Sequence, residues 1–313
     1  MKTARPLPND FLDRPFTTVE AARAGVSPKQ LRHPALASLG KGIRSGCPTA
    51  ELPLSVRVRP FIEVNERCAA SHLTAAELLV LPRRQEKETL EIFHIIRPEG
   101  AAHLNRPHVI VHRMKLYDDE VTVHEGIPVT TPERTWLDLA EVLSLDALVV
   151  AGDSCVRVPR PELEGRALPL CSIEDLQRMI DRHKGKRGIR KAKEAIQLIR
   201  VGSDSPQETL LRLAMGRASL PEPELNVPII DDAGRRHHEP DLSYRKYRIG
   251  IEYEGEHHGE EGQIVRDIAR SERYEALGWT EVRISKRHML NDAKPAVAKI
   301  RTVLIQAGWR LRG

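Results

Sequence analysis

The sequence predicts a mixed α/β chain in three regions, ending in a unit of order α-β-β-β-α-β-α, and three observations carry that. Short apolar or alternating stretches, ELNVPIID, HHEPDLSY, YRIGIEYEG and TEVRIS, read as strands. SPQETLLRLAMGRA, QIVRDIARSERYEALG and DAKPAVAKIRTVLIQAG repeat at helical spacing around them. Punctuation divides the rest: the chain of 313 residues is long enough for two or three domains. The regions are expected at 1–46, 47–200 and 201–313.

In the first region FTTVEAARAGVSPKQLRHPAL, residues 16–36, reads as two short helices. Thr17 or Thr18 caps VEAARA, Gly25 ends it, and Ser27 caps a second helix with Pro28 at its first position. That is a winged helix-turn-helix pattern. Its second helix would present Lys29, Gln30, Arg32 and His33 to a DNA major groove, and SLGKGIRSG, 38–46, would be the wing with Lys41 and Arg44. A plain packed helix pair is the alternative reading.

The middle region is expected to be α+β. SHLTAAELLVL, TPERTWLDLAEVL and SLDALVVAGDSCVR read as helices, LEIFHII and HVIVHRM as strands. VPRPELEGRALP, 158–169, reads as a linker, followed by a helix capped at Ser172. His94, His103, His108, His112 and His124 are dispersed and are expected to be ordinary polar positions. From Arg182 to Lys193 the connector carries seven lysines and arginines, Arg187 and Arg190 among them, whereas YDDEVTVHE at 117–125 is acidic. The basic run is expected either to face phosphates or to be a solvated helix face. The net charge of +5 is compatible with a polyanionic partner without requiring one.

No apolar run reaches the roughly 18 residues of a membrane span, and MKTARPLPNDFLDRPF has no secretory pattern. Cys47, Cys68, Cys155 and Cys171 lack CxxC spacing, which points to reduced thiols and a cytoplasmic chain.

The sharpest pattern is EPDLSYRKYRIGIEYEGEHH, 239–258. Gly234 supplies the turn ahead of it, and neighbouring strands would bring Asp241 and Glu252 together, with Glu254 on the face of Glu252. Clustered carboxylates repel, and hard oxygen ligands suit magnesium, with manganese as an alternative. Glu208 in SPQE is a capping-box glutamate facing the same unit.

With Glu208, Pro240-Asp241 and Glu252-Tyr253-Glu254 in this order, the last region resembles the PD-(D/E)xK nuclease superfamily. EYEGEHH followed by RDIARSERYEALGWTEVRIS is similar to small endonuclease-domain proteins related to very-short-patch repair endonucleases. The upstream part, with GIPVTTPERTWLDLA, is similar to actinobacterial proteins whose first domain is related to abortive-infection antitoxins. The resemblance implies a restriction-endonuclease-like domain, a central four-stranded mixed sheet flanked by helices, and magnesium-dependent DNA phosphodiester hydrolysis. Carried over by position, Asp241 and Glu252 are metal ligands, the Tyr253 carbonyl a third, and Glu208 an outer or water-mediated one. Glu254 stands where many members have lysine, so His257 or His258 would orient the water or protonate the leaving group, or Lys246 would substitute. Arg266 and Arg270 would touch phosphates, or pair with Glu260 and Asp267.

The leading expectation is therefore a metal-dependent DNA endonuclease in phage defence or DNA repair. The alternative is a DNA-binding antitoxin-type transcriptional regulator with an inactive nuclease-like domain, and a third reading is a protein-binding module of a defence system. Expected partners are DNA and a toxin or other defence-system protein. Double-strand cleavage from a single site would favour a homodimer or sequential nicking.

Overall fold

The computed structural model describes residues 7–65, 67–82, 92–101, 105–231, 233–254 and 261–310, with backbone alone at 162, 163 and 261–268. It is a mixed α/β protein whose three sequence regions fold as two compact units, Met1–Leu143 with Glu174–Ala192, and Ser144–Ile173 with Lys193–Gly313.

The first unit opens with β1 (Pro15–Thr17), α1 (Thr18–Arg23), β2 (Ala37–Gly40) and β3 (Ile43–Ser45), whose strands form an antiparallel sheet of order β1-β3-β2. Thr17 caps α1 as expected, its hydroxyl oxygen accepting from the Glu20 N–H at 3.0 Å. Phe11, Phe16, Ala21, Val26 and Leu36 pack beneath. The second helix expected after Ser27 is instead one 3-10 turn, Gln30–Arg32. Pro34 explains the difference: it biases the residue before it away from helix, and His33 is extended at φ −60°, ψ 135°. Reciprocal bonds between Ser27 and Gln30, with Oγ to Oε1 at 2.8 Å, close the short turn. The segment expected as a wing, 38–46, falls in the β2–β3 hairpin.

Next come α2 (Leu54–Glu63), β4 (Ala69–Ala70), α3 (His72–Leu78), β5 (Phe93–Pro98), β6 (Val109–Met114), β7 (Val121–His124), β8 (Ile127–Thr130) and α4 (Pro132–Leu139). The five strands form a mixed sheet of order β6-β5-β4-β8-β7. Val58, Phe61 and Ile62 of α2 pack with Phe93, Ile95, Ile127 and Val129 of the strands. LSVRVR alternates like a strand, which hides α2 from a reading by period.

The chain then supplies α5 (Leu145–Val156) and α6 (Pro161–Glu164) to the second unit and α7 (Ile173–Arg182) to the first, while α8 (Ile189–Leu198) begins in the first and ends in the second. α6 occupies part of the expected linker.

Charge holds the segment from α7 to α8 onto the first unit. Arg134 is fully buried: its Nε donates to Asp138 at 3.0 Å, and one terminal nitrogen donates to Glu120 and to the Lys115 carbonyl. Glu120 is also 2.7 Å from His183 Nε2, and Asp138 is 3.1 Å from Lys186 Nζ. Arg182 reaches Asp119 at 2.7 Å and lies 3.7 Å over the Tyr117 ring, and Arg187 is 3.3 Å from Glu141. Of the seven lysines and arginines expected either to face phosphates or to form a solvated face, Arg182, Lys186 and Arg187 thus meet carboxylates, while Lys184, Arg190 and Lys193 are exposed. Buried carboxylates demand counter-charge, which His183 and Lys186 supply.

The second unit continues through α9 (Pro206–Arg217), β9 (Glu224–Leu225), β10 (Leu242–Tyr244), β11 (Ile249–Glu254), α10 (Glu261–Ala276), β12 (Thr280–Ser285) and α11 (Leu290–Gln306). Its sheet has order β12-β11-β10-β9, with β9, β10 and β11 antiparallel and β12 parallel to β11. The expected order of elements is present, with a much shorter first strand, since Pro221, Pro223 and Pro228 remove ladder donors around it. Leu211 and Met215 of α9, and Ala296, Ile300 and Leu304 of α11, share one core with Ile249, Ile251 and Ile284. On the alternate face of β11, Gly250 lies under Tyr274 of α10, where an added Cβ would overlap the Tyr274 ring.

Among the described residues no helix is long and apolar enough to cross a membrane, and the four cysteines are free. Replacing Arg134 with Ala strands Glu120 and Asp138, and urea unfolding is expected to show a loss of about 3–5 kcal/mol. Arg187→Ala, at an 83% exposed side chain, is expected to change stability by less than about 1 kcal/mol in the same measurement.

Candidate functional site

β10 and β11 pair with Leu242 opposite Ile251, so Asp241, one residue earlier, is level with Glu252. The backbone N–H of Tyr253 donates to Asp241 Oδ2 at 2.7 Å. In an extended residue the N–H and C=O point to the same side, so the Tyr253 carbonyl faces the Asp241 side too. Register alone therefore brings together three groups that the sequence separates by up to 12 residues.

Glu252 is 5% exposed, and its Oε1 takes two partners, His238 Nε2 at 2.7 Å and the Tyr274 hydroxyl, which donates at 2.6 Å. Burial, together with the charge and hydrogen bond of Glu252, pushes the Tyr274 phenol well above its ordinary range. Neither His238 nor Tyr274 figures in the sequence reading. His238 lies three residues before Asp241 in HHEPD, which is a signal of proximity; Tyr274 is legible only through the spacing of α10. Four residues of helix rise about 6 Å and two of strand about 6.6 Å, so Arg270 and Tyr274 stand over Glu254 and Glu252.

Glu208, also 5% exposed, forms only half of the expected capping box: its N–H donates to Ser205 Oγ at 3.2 Å, but its carboxylate does not return to the Ser205 N–H. Its carboxylate accepts from the Asp204 N–H at 2.8 Å and from Asn226 Nδ2 at 3.3 Å. Burial raises the Glu208 carboxyl above its ordinary value. The Asp241 carboxyl is pushed up to about 7, first by burial and then by the negative charges of Glu208 and Glu252. A carboxylate with such neighbours favours a proton or a cation.

Glu254 does not join this group. It sits 3.3 Å from Arg270 and 3.4 Å from Arg283, and both arginines also reach Glu281, at 2.9 and 3.1 Å. Two guanidiniums neutralise it, whereas the sequence groups it with the Asp241 and Glu252 carboxylates as a candidate site residue. The same contacts place Arg270 between the Glu254 and Glu281 carboxylates. Lys246 lies in the turn Arg245–Tyr247 at the opposite end of β10 from Asp241, its amine 5.3 Å over the Tyr247 ring, so it cannot stand in for the missing lysine. His257, His258 and Glu260, and the side chains of Arg266 and Asp267, lie outside the described residues.

In the first unit, Lys29, Arg32 and Lys41 are exposed. Arg44 is held inward: its guanidinium donates to the Leu31 carbonyl at 3.4 Å, to Ser38 Oγ at 2.9 Å and to the Ile43 carbonyl at 3.0 Å, fastening the hairpin to the 3-10 turn. Arg190 is exposed and Arg187 faces Glu141.

Comparison with known proteins adds a family likeness to one stretch. Residues 69–181 match the AbiEi antitoxin C-terminal domain, a match that runs from β4 into α7 and does not extend to Asp241 or Glu252. Over 156 residues, half of this chain, the protein is 28% identical to uncharacterized protein MT2308 of Mycobacterium tuberculosis strain CDC 1551 / Oshkosh. The same figures hold for uncharacterized protein Rv2248 of strain H37Rv. The chain spans 54% of the length of these relatives.

The raised Asp241 carboxyl gives a pH dependence. Its contribution to folding is fully present below the ordinary value of 3.8 and is lost as pH rises through about 7. In chelator-containing buffer, the melting temperature of Asp241→Asn relative to the unsubstituted protein is expected to climb between about pH 5 and about pH 8. A flat difference would show that Asp241 ionises as readily in the folded chain as in the unfolded one.

Proposed function

We propose that this chain is a DNA-binding regulator of antitoxin type whose second unit has the form of a nuclease domain. The observation that carries the reading is the antitoxin-domain match over residues 69–181, which follows α2 and a small capped N-terminal segment with Lys29, Arg32 and Lys41 exposed. Those cations would engage phosphates and supply sequence-independent affinity, while the antitoxin-like stretch would engage a toxin or other defence-system partner. The shortened second helix argues against deep insertion into the major groove. Phosphate contact by the turn and the hairpin fits the geometry better.

A second reading, metal-dependent cleavage of DNA, is favoured by Asp241 beside Glu208 and Glu252. The residues fit a hard divalent cation. Asp241 Oδ1 and Glu252 Oε2 make no hydrogen bond among the described residues, and the Asp241 carboxyl is destabilised as a bare anion. Asp241, Glu252 and the Tyr253 carbonyl would hold magnesium or manganese, which supplies an activated water and charge for a phosphodiester. His238 and Tyr274 would fix the Glu252 carboxylate, and Glu208 would add negative charge at the rim. Against this stands the missing lysine: Glu254 is bound by arginines and Lys246 is remote. The regulator reading leads for that reason.

One experiment separates the two. Fluorescence anisotropy and gel cleavage are run on linear, single-stranded and mismatched DNA, with magnesium, manganese or a chelator. The regulator reading expects duplex binding that survives Asp241→Ala, weakens in a Lys29→Ala/Arg32→Ala variant, and loses about one unit of salt slope per phosphate contact removed. Metal-dependent cleavage that vanishes in Asp241→Ala would install the nuclease reading instead.

A further inference from the structure

We propose that His72, His94 and His112 in the first unit form a binding site for a divalent transition-metal ion of the zinc class, with three imidazole nitrogens as ligands and one coordination position open. Among the described residues, these three side chains offer nitrogen atoms that all lie within 4.8 Å of one another. They belong to the mixed sheet, not to the carboxylate group of the second unit. His94 and His112 figure in the sequence only as dispersed polar positions, and the fold corrects that.

The sheet makes the cluster. β5 and β6 run parallel with His94 opposite Ile110 and Ile96 opposite His112, so the two histidines are diagonal neighbours on one face. His94 Nδ1 and His112 Nε2 are 2.9 Å apart and share a proton. His72 begins α3 beside them, stacked on His112 at 3.5 Å between centroids. The His94 N–H donates to Thr74 Oγ1 at 2.8 Å, which ties the first turn of α3 to β5.

Two features point to a ligand rather than to packing. His72 is 0% exposed, and while its Nδ1 meets Ser71 Oγ at 3.0 Å, its Nε2 is buried with no hydrogen-bond partner. Leaving such an atom unsatisfied costs about 1–3 kcal/mol. His72 also adopts φ +49°, left-handed backbone that a histidine rarely takes and that such sites retain at a cost of about 1–3 kcal/mol. Three imidazoles gathered around an orphaned nitrogen are what a borderline metal ion would satisfy.

The protonation state suits coordination. Burial lowers all three histidines, His112 to about 4, so the rings are neutral near pH 7 and their lone pairs are available. Lys186 and Arg134 add positive field at His72; Asp138, 3.1 Å from Lys186 and 3.0 Å from Arg134, and Glu120, paired with Arg134, offset it. Metal–nitrogen bonds of about 2.0–2.1 Å in a tetrahedron place ligand atoms about 3.3 Å apart. The His94–His112 pair would open slightly, the shared proton would move to the other nitrogen of its own ring, and His72 would turn out of its stack on His112.

The test uses the full chain freed of metal with a chelator. Titration with Co2+ is expected to give the visible bands of a tetrahedral nitrogen site at one ion per chain, bleached by added Zn2+, and Zn2+ is expected to raise the melting temperature. His112→Ala and His94→Ala should abolish the bands and the Zn2+ shift, whereas Glu252→Gln, in the carboxylate group, should leave both intact. Circular dichroism checks that the histidine variants fold. If they do not, paramagnetically shifted ring N–H resonances from three histidines in the unsubstituted Co2+ complex carry the same information. Absence of tetrahedral bands, bands that persist in folded His112→Ala, or shifted resonances from fewer than three histidines would overturn the site.

Discussion

The first unit depends on one buried charge. Arg134 has no access to water, and neither do the Glu120 and Asp138 carboxylates it binds. An isolated ion in that setting would cost several kcal/mol, so the network is stable only when complete. One guanidinium does not complete it, because one of the two carboxylates remains in excess. His183 and Lys186 close the account, and both lie beyond an excursion of the chain through α5 and α6. Charge pairing thus fixes which part of a long chain returns to the sheet. Within the connector it engages His183 and Lys186, while Lys184, Arg190 and Lys193 stay exposed, as do Lys29, Arg32 and Lys41 elsewhere in the chain.

In the second unit the same physics gives opposite results at neighbouring positions. Glu252 and Glu254 share a face of β11, but Glu252 meets a phenol and an imidazole whereas Glu254 meets two guanidiniums. Guanidiniums cancel a charge. A phenol only orients it, so negative charge persists around Glu252 and adds to burial and to the Glu208 charge in raising Asp241. Gly250 is part of this arrangement, since only a residue without Cβ lets Tyr274 descend to the strand. How closely α10 packs therefore sets the surroundings of Glu252, while burial and Glu208 do the most to raise Asp241.

What was legible in the sequence followed local rules. The Thr17 and Ser205 caps, the proline starts of α4 and α9, and the apolar strand β11 are each written within a few residues. The pairing of Asp241 with the Glu252 region was legible because a short connection leaves antiparallel strands little choice of register. The misreadings share another cause, competition between a local pattern and something distant. SPKQLRHP has a good helix start, but Pro34 stops it; within the connector, buried carboxylates claim His183 and Lys186; Lys246 is close in sequence and sits at the wrong end of its hairpin. The His72, His94 and His112 cluster has no sequence period at all, since it arises from a helix start and two strands aligned by sheet register.

The two candidate ion sites differ in a way that keeps their chemistry separable. Carboxylate and carbonyl oxygens are hard donors, suited to ions that keep part of their water shell, as magnesium does. Neutral imidazoles are borderline donors that bind magnesium poorly and zinc-class ions well. Each site also acts on a different element set, β10 and β11 in the second unit, α3, β5 and β6 in the first. A metal that changes DNA chemistry and a metal that stabilises the antitoxin-like stretch would therefore be different ions. Magnesium dependence and zinc dependence in this chain would report on different units, and neither result alone would decide the other.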